Sequence, residues 1–453
     1  MECECIKQTG IPHATRLFTD FLYHFDRVRA FYAFDPFDSR SFFHSARLLK
    51  YPAETRAVVA AVLEEQAERF GAGQATRRNV ERFRRGAVAA VTGQQVGLFT
   101  GPMYAFYKAL TAIRLADWLT SEGLDCVPVF WLATDDHDLH EVNHTFVLDA
   151  SCQLQRIEDG AVPRVPNAPV GEVALSSEIA RRCQEAVALL PQTTWTAELA
   201  RALADSYRPG ETFGVAFGRL MARLLDRFGV LLLDPADLRA RRLAAGVFHR
   251  VLGSMDELVS ALLERNKELL KAGYHTQVRV TEHSTLLFQL ANGQRTALRR
   301  RNGEFLRGEE RLSQARLLAD LERQPQAFSA NALLRPVLQD ALLPTVAYVG
   351  GPAELAYLAQ ASVLYGRLLG RMPVVYPRAS FTVLDAAAAD LLQHYGLKVA
   401  DVLAGPQALR QRMAPRFLPA ELATAFERDE KKLEELLEDV RGRMEAFDRT
   451  LGD

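Results

Sequence analysis

Short, continuous runs of apolar residues recur along the chain, and each ends in glycines, acidic residues or a Pro-Arg pair. Runs this short and this uniformly apolar are typical of parallel strands buried on both faces of a sheet. Helical patterns lie between them, as in strand–helix–strand units with right-handed crossovers. The pattern predicts an α/β fold built on one open parallel sheet. The predicted strands are GAVAAVTG (86–93), VPVFWLATDD (127–136), GVLLLDPAD (229–237), PTVAYVGG (344–351) and MPVVYPR (372–378).

The segment before the first strand, residues 1–85, is predicted to be helical and packed on the core. Apolar residues recur at spacings of three and four over 15–34 and again over 53–70, which is the period of a helix with one buried face. The Gly71-x-Gly73 pair indicates the end of the second helix. The aromatic stripe of the first pattern is interpreted as core packing; it comprises Phe18, Phe21, Leu22 and Phe25.

The sheet is predicted to be assembled from separated pieces of the chain. The core segments are 86–150, 211–251 and 326–380. A first insertion, 151–210, contains a proline-rich loop from Val162 to Pro169 and short helices. A second insertion occupies 252–325.

Two Asn-Gly pairs predict β-hairpins in the second insertion. Asn292-Gly293 and Asn302-Gly303 separate three short strand patterns, and Asn-Gly is the preferred sequence of a two-residue hairpin turn. The basic run Arg299-Arg300-Arg301 lies between them. It is either a solvated face of the hairpin or a patch that contacts an anion.

The C-terminal region, 381–453, carries a heptad pattern that predicts a helical coiled coil. Apolar residues alternate at spacings of four and three, with one acidic exception, and charged residues flank them. The seam runs almost to the last residue, so we expect its partner in an earlier segment, in another chain, or in an arm beyond residue 453. The seam positions are Leu422, Phe426, Asp429, Leu433, Leu437, Val440, Met444, Phe447 and Leu451.

Composition excludes several classes of protein. The 453 residues suffice for roughly three domains. The formal net charge of −1 argues against nucleic acid or anionic lipid as a partner. The N-terminus has no secretory signal pattern, and no apolar run approaches the ~18 residues of a membrane span. Five cysteines without a Cys-x-x-Cys motif suit a reducing compartment, so a cytoplasmic protein is expected.

A glycine-rich turn follows the first strand and is the first candidate site. Its residues are Thr92, Gly93, Gln94, Gln95, Val96, Gly97, Leu98, Phe99, Thr100, Gly101 and Pro102. Glycines let the backbone approach a ligand, and the N–H groups at the start of the next helix favour a phosphate or carboxylate. Lys108 lies where it could reach a phosphate. A tight turn without a ligand remains the alternative, because the spacing fits neither the Walker nor the Gly-x-Gly-x-x-Gly motif.

The acidic and histidine-rich segment 134–144 follows the second strand, at the sheet edge where parallel sheets bind ligands. Asp135, Asp136 and Asp138 could hold Mg²⁺ or a substrate ammonium group. His137 could act as a general base or donate a hydrogen bond to a phosphate. A merely polar junction between strand and helix is the alternative.

The same segment contains His140-Glu141-Val142-Asn143-His144, which matches the His-Glu-x-x-His pattern of zinc peptidases. Histidines four residues apart share one face of a helix. A zinc peptidase therefore remains an alternative, although a third ligand is not evident in the sequence.

A third candidate follows the fourth strand, and a fourth follows the last. Gly350-Gly351 precede Glu354 at the start of a helix, where the glutamate could bind ribose hydroxyls or an amine, or only cap the helix. Arg378 closes the last strand and could meet a carboxylate or phosphate. We expect the segments near 92, 136 and 351 to converge at one rim.

In these residues the chain resembles the cysteine ligase, or cysteine-adding enzyme, family of bacillithiol biosynthesis. The resemblance implies a Rossmann-like core related to class I aminoacyl-tRNA synthetases, two connecting-peptide insertions and a C-terminal coiled coil that pairs protomers in a homodimer. The segments that carry it are VTGQQVGLFTGPMYAFYKA (91–109), PVFWLATDDHDLHEVNH (128–144), FSANALLRPVLQDALLPTVAYVGGPAELAYLAQ (328–360) and MPVVYPR (372–378).

The resemblance also implies the reaction. L-cysteine would be joined through its carboxyl group to the amine of glucosaminyl-malate, with ATP as the expected driver and Mg²⁺ as a candidate cofactor. The glycine turn and Lys108 would face the nucleotide phosphates. The implied catalytic residues are Asp136, His137, Asp138, Asn143 and His144. The implied nucleotide- and substrate-binding residues are Thr92, Gly93, Gln94, Gln95, Thr100, Gly101, Tyr104, Lys108, Gly350, Gly351, Glu354, Tyr357, Tyr376 and Arg378. A non-catalytic coiled-coil scaffold is the remaining alternative.

Overall fold

The structure, a computed structural model, describes residues 4–301, 303–417 and 419–447. The chain divides into two compact units, one of Thr15–Phe381 and one of Met1–Ala14 with Thr382–Asp453. The helices of the larger unit are α1 (Arg16–Tyr23), α2 (Arg40–Arg47), α3 (Ala53–Arg69), α4 (Gln74–Arg85), α5 (Tyr104–Ser121), α6 (Leu139–Val142), α7 (Ile179–Leu189), α8 (Thr196–Ser206), α9 (Phe213–Leu224), α10 (Leu238–Gly253), α11 (Met255–Lys271), α12 (Gln314–Arg323), α13 (Arg335–Leu342) and α14 (Pro352–Leu368).

The strands also belong to the larger unit. They are β1 (Val88–Gln94), β2 (Cys126–Leu132), β3 (His144–Leu148), β4 (Leu154–Glu158), β5 (Leu231–Leu233), β6 (Ser284–Ala291), β7 (Gln294–Arg301), β8 (Glu304–Arg307), β9 (Glu310–Leu312), β10 (Phe328–Ala330), β11 (Thr345–Gly350) and β12 (Val374–Pro377). The strands predicted from the five apolar runs are β1, β2, β5, β11 and β12.

These five strands form one parallel sheet in the order β12-β11-β1-β2-β5. Numbered along the chain as strands one to five, they are ordered 5-4-1-2-3, which is the order of a Rossmann-like sheet. The parallel sheet predicted from the sequence is therefore confirmed. The order reverses between β1 and β11, and such a reversal opens a crevice at the carboxyl ends of the strands.

Alternation along the strands buries both faces of the sheet. In β2, Val127, Val129 and Trp131 pack into one hydrophobic cluster, while Phe130 and Leu132 pack into another. Helix α14 contributes to the first cluster and α5 to the cluster on the opposite face. The two helices that start beside the crevice thus leave the sheet edge on opposite sides.

The predicted helix over 15–34 is interrupted. Helix α1 ends at Tyr23 and two short 3₁₀ turns follow. The ring of Tyr32 meets that of Phe21 at 4.8 Å between centroids, although eleven residues of straight helix would separate them by about 16 Å. The chain folds back because burying these aromatic rings together outweighs helix continuity. The interpretation of the aromatic stripe as core is confirmed, since Phe18, Phe21 and Phe25 are buried.

The second insertion folds as an antiparallel sheet in the order β10-β6-β7-β8-β9. Asn292 and Gly293 both adopt positive φ between β6 and β7, as the predicted hairpin turn requires. Asn302, of the other predicted turn, lies outside the described residues. The sheet extends past 325 to β10, beyond the boundary expected from the sequence. In the basic run, Arg299 and Arg301 are exposed and Arg300 is paired with Asp256.

The first insertion contains a hairpin that the sequence did not predict. Strands β3 and β4 pair antiparallel and straddle the expected boundary at 150. Each has only five residues, too few for alternation to stand out from the polar segment before it. The helices expected in this insertion are α7 and α8.

The smaller unit is helical. Its helices are α15 (Ala386–Tyr395), α16 (Val399–Leu403), α17 (Pro406–Phe417) and α18 (Ala420–Phe447). The apolar seam positions of α18 are 43% to 88% exposed from Leu422 to Phe447, and Leu451 lies outside the described residues. Helix formation over the seam is confirmed, whereas its pairing in a coiled coil stays a prediction.

Four of the five cysteines lie in the described part of the chain. Cys5, Cys126, Cys152 and Cys183 are free thiols, and Cys3 lies outside the described residues. Within the described ranges, no helix has the length and apolar character needed to cross a bilayer.

We predict that Asp340 makes the stability of the fold depend on pH. Its side chain is buried in α13, and one carboxylate oxygen accepts a hydrogen bond from the Tyr365 hydroxyl at 2.6 Å. The other oxygen has no hydrogen-bond partner among the described residues. Burial raises the pKa of Asp340 from 3.8 to about 6. The folded state therefore holds this proton more tightly than the unfolded chain, and stability falls as pH rises through that interval.

The Asp340→Asn variant, which resembles the protonated acid, should gain up to about 3 kcal/mol over the parent at pH 7.5 and little at pH 4.5. Urea unfolding of both proteins at the two pH values measures this difference. An equal gain at both pH values would contradict the prediction.

Candidate active site

The carboxyl ends of β12, β11, β1 and β2 meet at one edge of the sheet, because neighbouring parallel strands point the same way. The turn after β1 and the loops after β2 and β11 leave from this edge. Two side-chain links connect them: Lys108 joins β1 to Glu354, and Gln95 joins the first turn to Asp136. The predicted convergence of the segments near 92, 136 and 351 is therefore present in the fold.

Lys108 is buried between β1 and β11, where the strand order reverses. Its Nζ lies 2.6 Å from Glu354 Oε2, 2.5 Å from the Gly93 carbonyl oxygen and 3.1 Å from Gln94 Oε1. An ammonium group has three N–H donors, and each has an acceptor here. In this structure all three N–H donors of the Lys108 ammonium group are bound by protein acceptors. The expected contact of Lys108 with nucleotide phosphates stays a prediction.

Glu354 is satisfied on both carboxylate oxygens. Oε1 accepts from the Tyr348 hydroxyl at 2.8 Å and from the Tyr357 hydroxyl at 3.4 Å. Oε2 accepts from the Gly351 N–H at 2.9 Å as well as from Lys108, so Glu354 caps α14. Although burial raises the pKa of Glu354, the Lys108 ammonium and the Gly351 N–H hold it below its usual value.

Burial lowers the pKa of Lys108, and Glu354 partly opposes the shift. The two groups are thus an ion pair that neutralises the buried crevice wall. Of the two interpretations of Glu354, the helix cap is what the structure shows.

The glycine-rich turn is strained. Phe99, Thr100 and Gly101 all have positive φ, and two consecutive non-glycine residues in that region cost of order 1–3 kcal/mol each. A Cβ on Gly97 would lie 2.9 Å from Gly101 Cα, so glycine is required at 97. The ring of Tyr207, from the first insertion, packs on Phe99 at 4.9 Å between centroids and holds the turn.

The first residues of the turn connect the strands. Thr92 donates its hydroxyl hydrogen bond to the Val349 carbonyl oxygen at 2.9 Å. A Cβ on Gly93 would lie 2.7 Å from the Trp131 carbonyl oxygen. These two positions are explained by the close packing of β1 between β11 and β2, and their predicted ligand contacts stay predictions.

Asp136 is an ionised carboxylate at the start of the loop after β2. Its Oδ2 accepts from Gln95 Nε2 at 2.8 Å, and Oδ1 accepts from the His137 N–H at 2.7 Å. Burial raises the pKa of Asp136, but these hydrogen bonds and the charge of Arg295 bring it below its usual value. Gln95 also donates to Glu141 at 2.5 Å, so one amide links two acidic side chains of this loop.

His137 is held by an arginine that the sequence analysis missed. Arg295 of β7 donates from its Nη1 to His137 Nδ1 at 2.9 Å. Its other N–H groups donate to the Ser329 hydroxyl and the Ala330 carbonyl oxygen, each at 3.0 Å, and its guanidinium lies 3.6 Å over the Phe288 ring. The second insertion therefore reaches the candidate catalytic loop directly.

This contact determines the tautomer of His137. Arginine only donates hydrogen bonds, so Nδ1 must accept and the ring proton lies on Nε2. Burial and the Arg295 charge both lower the pKa of His137, which keeps the ring neutral at pH 7. Of the two roles left open, hydrogen-bond donor through Nε2–H fits this arrangement, because the basic nitrogen is already occupied.

Other predicted residues have structural contacts. Asp138 caps α6 by accepting from the His140 and Glu141 N–H groups. Asn143 Nδ2 donates to Glu158 Oε1 at 3.0 Å, and Asn143 Oδ1 lies 3.3 Å from His144 Nδ1. Asn143 and His144 therefore make their side-chain contacts at the β3–β4 hairpin. No hydrogen bond, ion pair or ring contact in the described part of the chain joins Asn143 or His144 to Asp136 or His137.

The zinc-peptidase interpretation is wrong in its geometry. Helix α6 ends at Val142 and His144 begins β3, so His140 and His144 do not share a helical face. Among the described residues, no group of three or more His, Cys, Asp or Glu side chains could hold a metal ion. Asp136 and Asp138 accept hydrogen bonds from N–H donors, and Mg²⁺ at these carboxylates stays a prediction.

The remaining predicted residues line or support the edge near β12. Arg378 lies with its Cζ 5.8 Å over the Tyr104 ring and donates to the Ala379 carbonyl oxygen at 3.1 Å. Gly350 accepts the Arg378 N–H at 2.8 Å. Tyr376 instead packs on Phe42 in the core, at 6.1 Å between rings.

Asp135, singled out for Mg²⁺ or an amine, forms an ion pair with Arg241 of α10. Arg241 also donates to three carbonyl oxygens, those of Pro235, Gln326 and Phe328. Neither Arg241 nor Arg295 belongs to a recognisable motif. No local sequence signal could have identified them, since Asp135 and His137, the side chains that they hold, are more than a hundred residues away.

Comparison with known proteins identifies the family. Residues 1–379 match the family described as "Bacillithiol biosynthesis BshC, N-terminal Rossmann-like domain". The chain belongs to the BshC family. The cysteine ligase resemblance seen in the sequence is thereby confirmed.

Relatives of BshC type match the chain over nearly its whole length. A protein of Koribacter versatilis is 44% identical over 423 residues, covering 93% of this chain and 78% of its own. One from Solibacter usitatus is 40% identical over 451 residues, covering 100% and 83%, and one from Salinibacter ruber is 36% identical over 446 residues, covering 96% and 80%. Each carries the name "Putative cysteine ligase BshC". The BshC domain match contains every strand of the parallel sheet.

We predict that Arg295→Met raises the pKa of His137, because the variant removes a positive charge and a donor that fixes Nδ1 as an acceptor. Imidazole ¹⁵N NMR titration, with His137 assigned by its loss in His137→Gln, measures both pKa and tautomer. Arg299→Met, at an exposed position of the same strand, is the control and should leave both unchanged. An Nδ1–H tautomer in the parent, or an unmoved pKa in Arg295→Met, would refute the assignment.

We predict strong energetic coupling between Lys108 and Glu354. Lys108→Met should cost about 3–5 kcal/mol of unfolding free energy, since it leaves a buried carboxylate uncompensated. The double variant Lys108→Met/Glu354→Gln should cost less than the sum of the two single changes. Urea unfolding measures the cycle, and the exposed pair Lys267–Glu264 supplies a control cycle with coupling near zero. Additive losses at Lys108 and Glu354 would show that the pair is not an interacting unit.

Proposed function

We propose that the protein is a ligase that joins L-cysteine, through its carboxyl group, to the amine of glucosaminyl-malate. Membership of the BshC family carries this proposal, and the names of the relatives agree with it. An amide does not form from a free carboxylate without activation, so ATP is the expected driver. The crevice where the strand order reverses is the expected position of the reactants.

The side chains at the sheet edge suit the acyl-transfer step. In that step a neutral amine nitrogen forms a bond to the cysteine carbonyl carbon, and negative charge develops on the carbonyl oxygen. The bond from that carbon to the oxygen of the activating phosphate then breaks, and the nitrogen loses a proton to water or to the departing phosphate. The Nε2–H of neutral His137 is a fixed donor that can stabilise such an oxygen, a type of interaction often worth 10²-fold or more in rate. The ionised Asp136 beside it can bind and orient the ammonium form of an amine substrate.

The proposal includes a homodimer through the C-terminal helix. The apolar seam of α18 is exposed in a single chain, and a heptad seam of this kind is normally buried against a partner helix. The zinc peptidase is not proposed, for the geometric reason given above.

The reaction is tested with the full chain, L-cysteine, glucosaminyl-malate and ATP, by mass spectrometry of the thiol product. His137→Ala should lower kcat about 100-fold, and His137→Gln, which can present an N–H near the position of Nε2, should retain more activity. His140→Ala is the matched control, because His140 is an exposed histidine of α6, three positions along the chain, and it should behave as the parent.

No product from the parent protein under any of these conditions would overturn the proposed function. Full activity in His137→Ala would leave the function standing and remove His137 from the site.

A further inference from the structure

Arg335 is the first residue of α13, and its guanidinium lies beside Tyr357 of α14. Asn331 starts the turn that positions it: its Oδ1 accepts from the Leu333 and Leu334 N–H groups, and its carbonyl oxygen accepts from the Arg335 N–H at 2.9 Å. The turn follows β10 directly, and Ser329 and Ala330 of β10 bind Arg295. One short segment therefore carries Arg335 and anchors the arginine that holds His137.

The other cations at this edge of the sheet are committed to protein acceptors. Lys108 is bound by Glu354 and two oxygens of the first turn, and Arg295 is bound by His137, Ser329 and Ala330. Arg241 is paired with Asp135. Arg378 donates to the Ala379 carbonyl oxygen and the Ser380 hydroxyl.

Arg335 differs from all four. Within the described part of the chain, its guanidinium makes a single hydrogen bond, from Nη2 to the Tyr357 hydroxyl at a long 3.4 Å. None of the described carboxylates lies within ion-pair distance of it. A guanidinium has five N–H donors, so most of its hydrogen-bonding capacity is unused although the side chain is only partly exposed.

The groups around Arg335 favour its charged form, and Arg335 lies near both Lys108 and Arg295. Burial alone lowers the pKa of its guanidinium, but the Tyr357 and Tyr348 hydroxyls and the Glu354 carboxylate raise it above the usual value. The charge of Arg335 in turn contributes to the lowered pKa of Lys108 and of Arg295, so it lies close enough to repel both. A bound anion would reduce the repulsion between Arg335 and these two cations.

We propose that Arg335 binds an oxyanion, a carboxylate or a phosphate, of one of the ligase's substrates. The planar fork of a guanidinium matches both groups with two parallel hydrogen bonds. The identity of the molecule that bears the anion rests on the proposed function, because cysteine, the malate conjugate and ATP all carry such groups. The anion site itself depends only on the contacts of Arg335.

Direct binding tests the site without relying on activity. Isothermal titration calorimetry of the full chain with L-cysteine, glucosaminyl-malate and ATP, each added alone, identifies the bound anion. Arg335→Gln should weaken binding of one of the three about 10- to 100-fold, the usual range for a charged hydrogen bond. Arg335→Lys should be intermediate, since it keeps the charge and loses the fork. Arg279→Gln, at an exposed arginine, is the control and should match the parent.

The kinetic readout separates anchoring from a structural role. The KM of the same substrate should rise by a similar factor in Arg335→Gln, with kcat and the KM values of the other two substrates changed less than threefold. Thermal unfolding tests whether each variant is folded. If Arg335→Gln does not fold, Arg335→Lys is used for the same measurements.

The possible outcomes distinguish this proposal from the proposed function. Parent-like affinity of a folded Arg335 variant for all three compounds, or a parent protein that binds none of them, overturns the anion site. A uniform loss across all three substrates would show a structural role and overturn it as well. Arg335-dependent binding in a protein that makes no thiol product would support the anion site while the proposed function fails.

Discussion

The ion pair between Lys108 and Glu354 occupies the point where the order of the parallel strands reverses, and the arrangement of the candidate site follows from it. Removing two charges from water is costly, and the pair persists because every remaining donor and acceptor is satisfied by Gly93, Gln94 and Gly351, with two tyrosine hydroxyls. It joins β1, α5 and α14 at the crevice wall. Such a pair contributes less to net stability than to fixing one arrangement of these elements.

Because this lysine is neutralised internally, the charge available to a substrate comes from elsewhere. We propose Arg335, in the segment after β10, as its source, since Arg295 is bound by His137, Ser329 and Ala330. Arg241 attaches the same region to the loop after β2 through Asp135 and the Phe328 carbonyl oxygen. The insertion therefore contributes directly to the candidate site, because Arg295 of its sheet holds His137.

The parallel sheet could be predicted from the sequence because each strand is buried on both faces, and burial of this kind leaves a local apolar signature. The hairpin at Asn292-Gly293 was also predictable from local sequence, since its turn needs two consecutive residues of positive φ and Asn-Gly supplies them. The β3–β4 hairpin was not predictable in this way, because its strands are short and half polar. The break in the first helix also escaped prediction, as it results from rings of Phe21 and Tyr32 meeting across a fold of the chain.

The sequence by itself determined where the strands end and which reactive side chains follow them, including Asp136, His137 and Glu354. This was possible because a strand and the loop after it are consecutive in the chain. Only the tertiary structure decided what those side chains do. The donor that orients His137 is 158 positions away and the acceptor that neutralises Lys108 is 246 positions away. The protonation and availability of a charged group depend on neighbours in space, and sequence spacing carries no information about them.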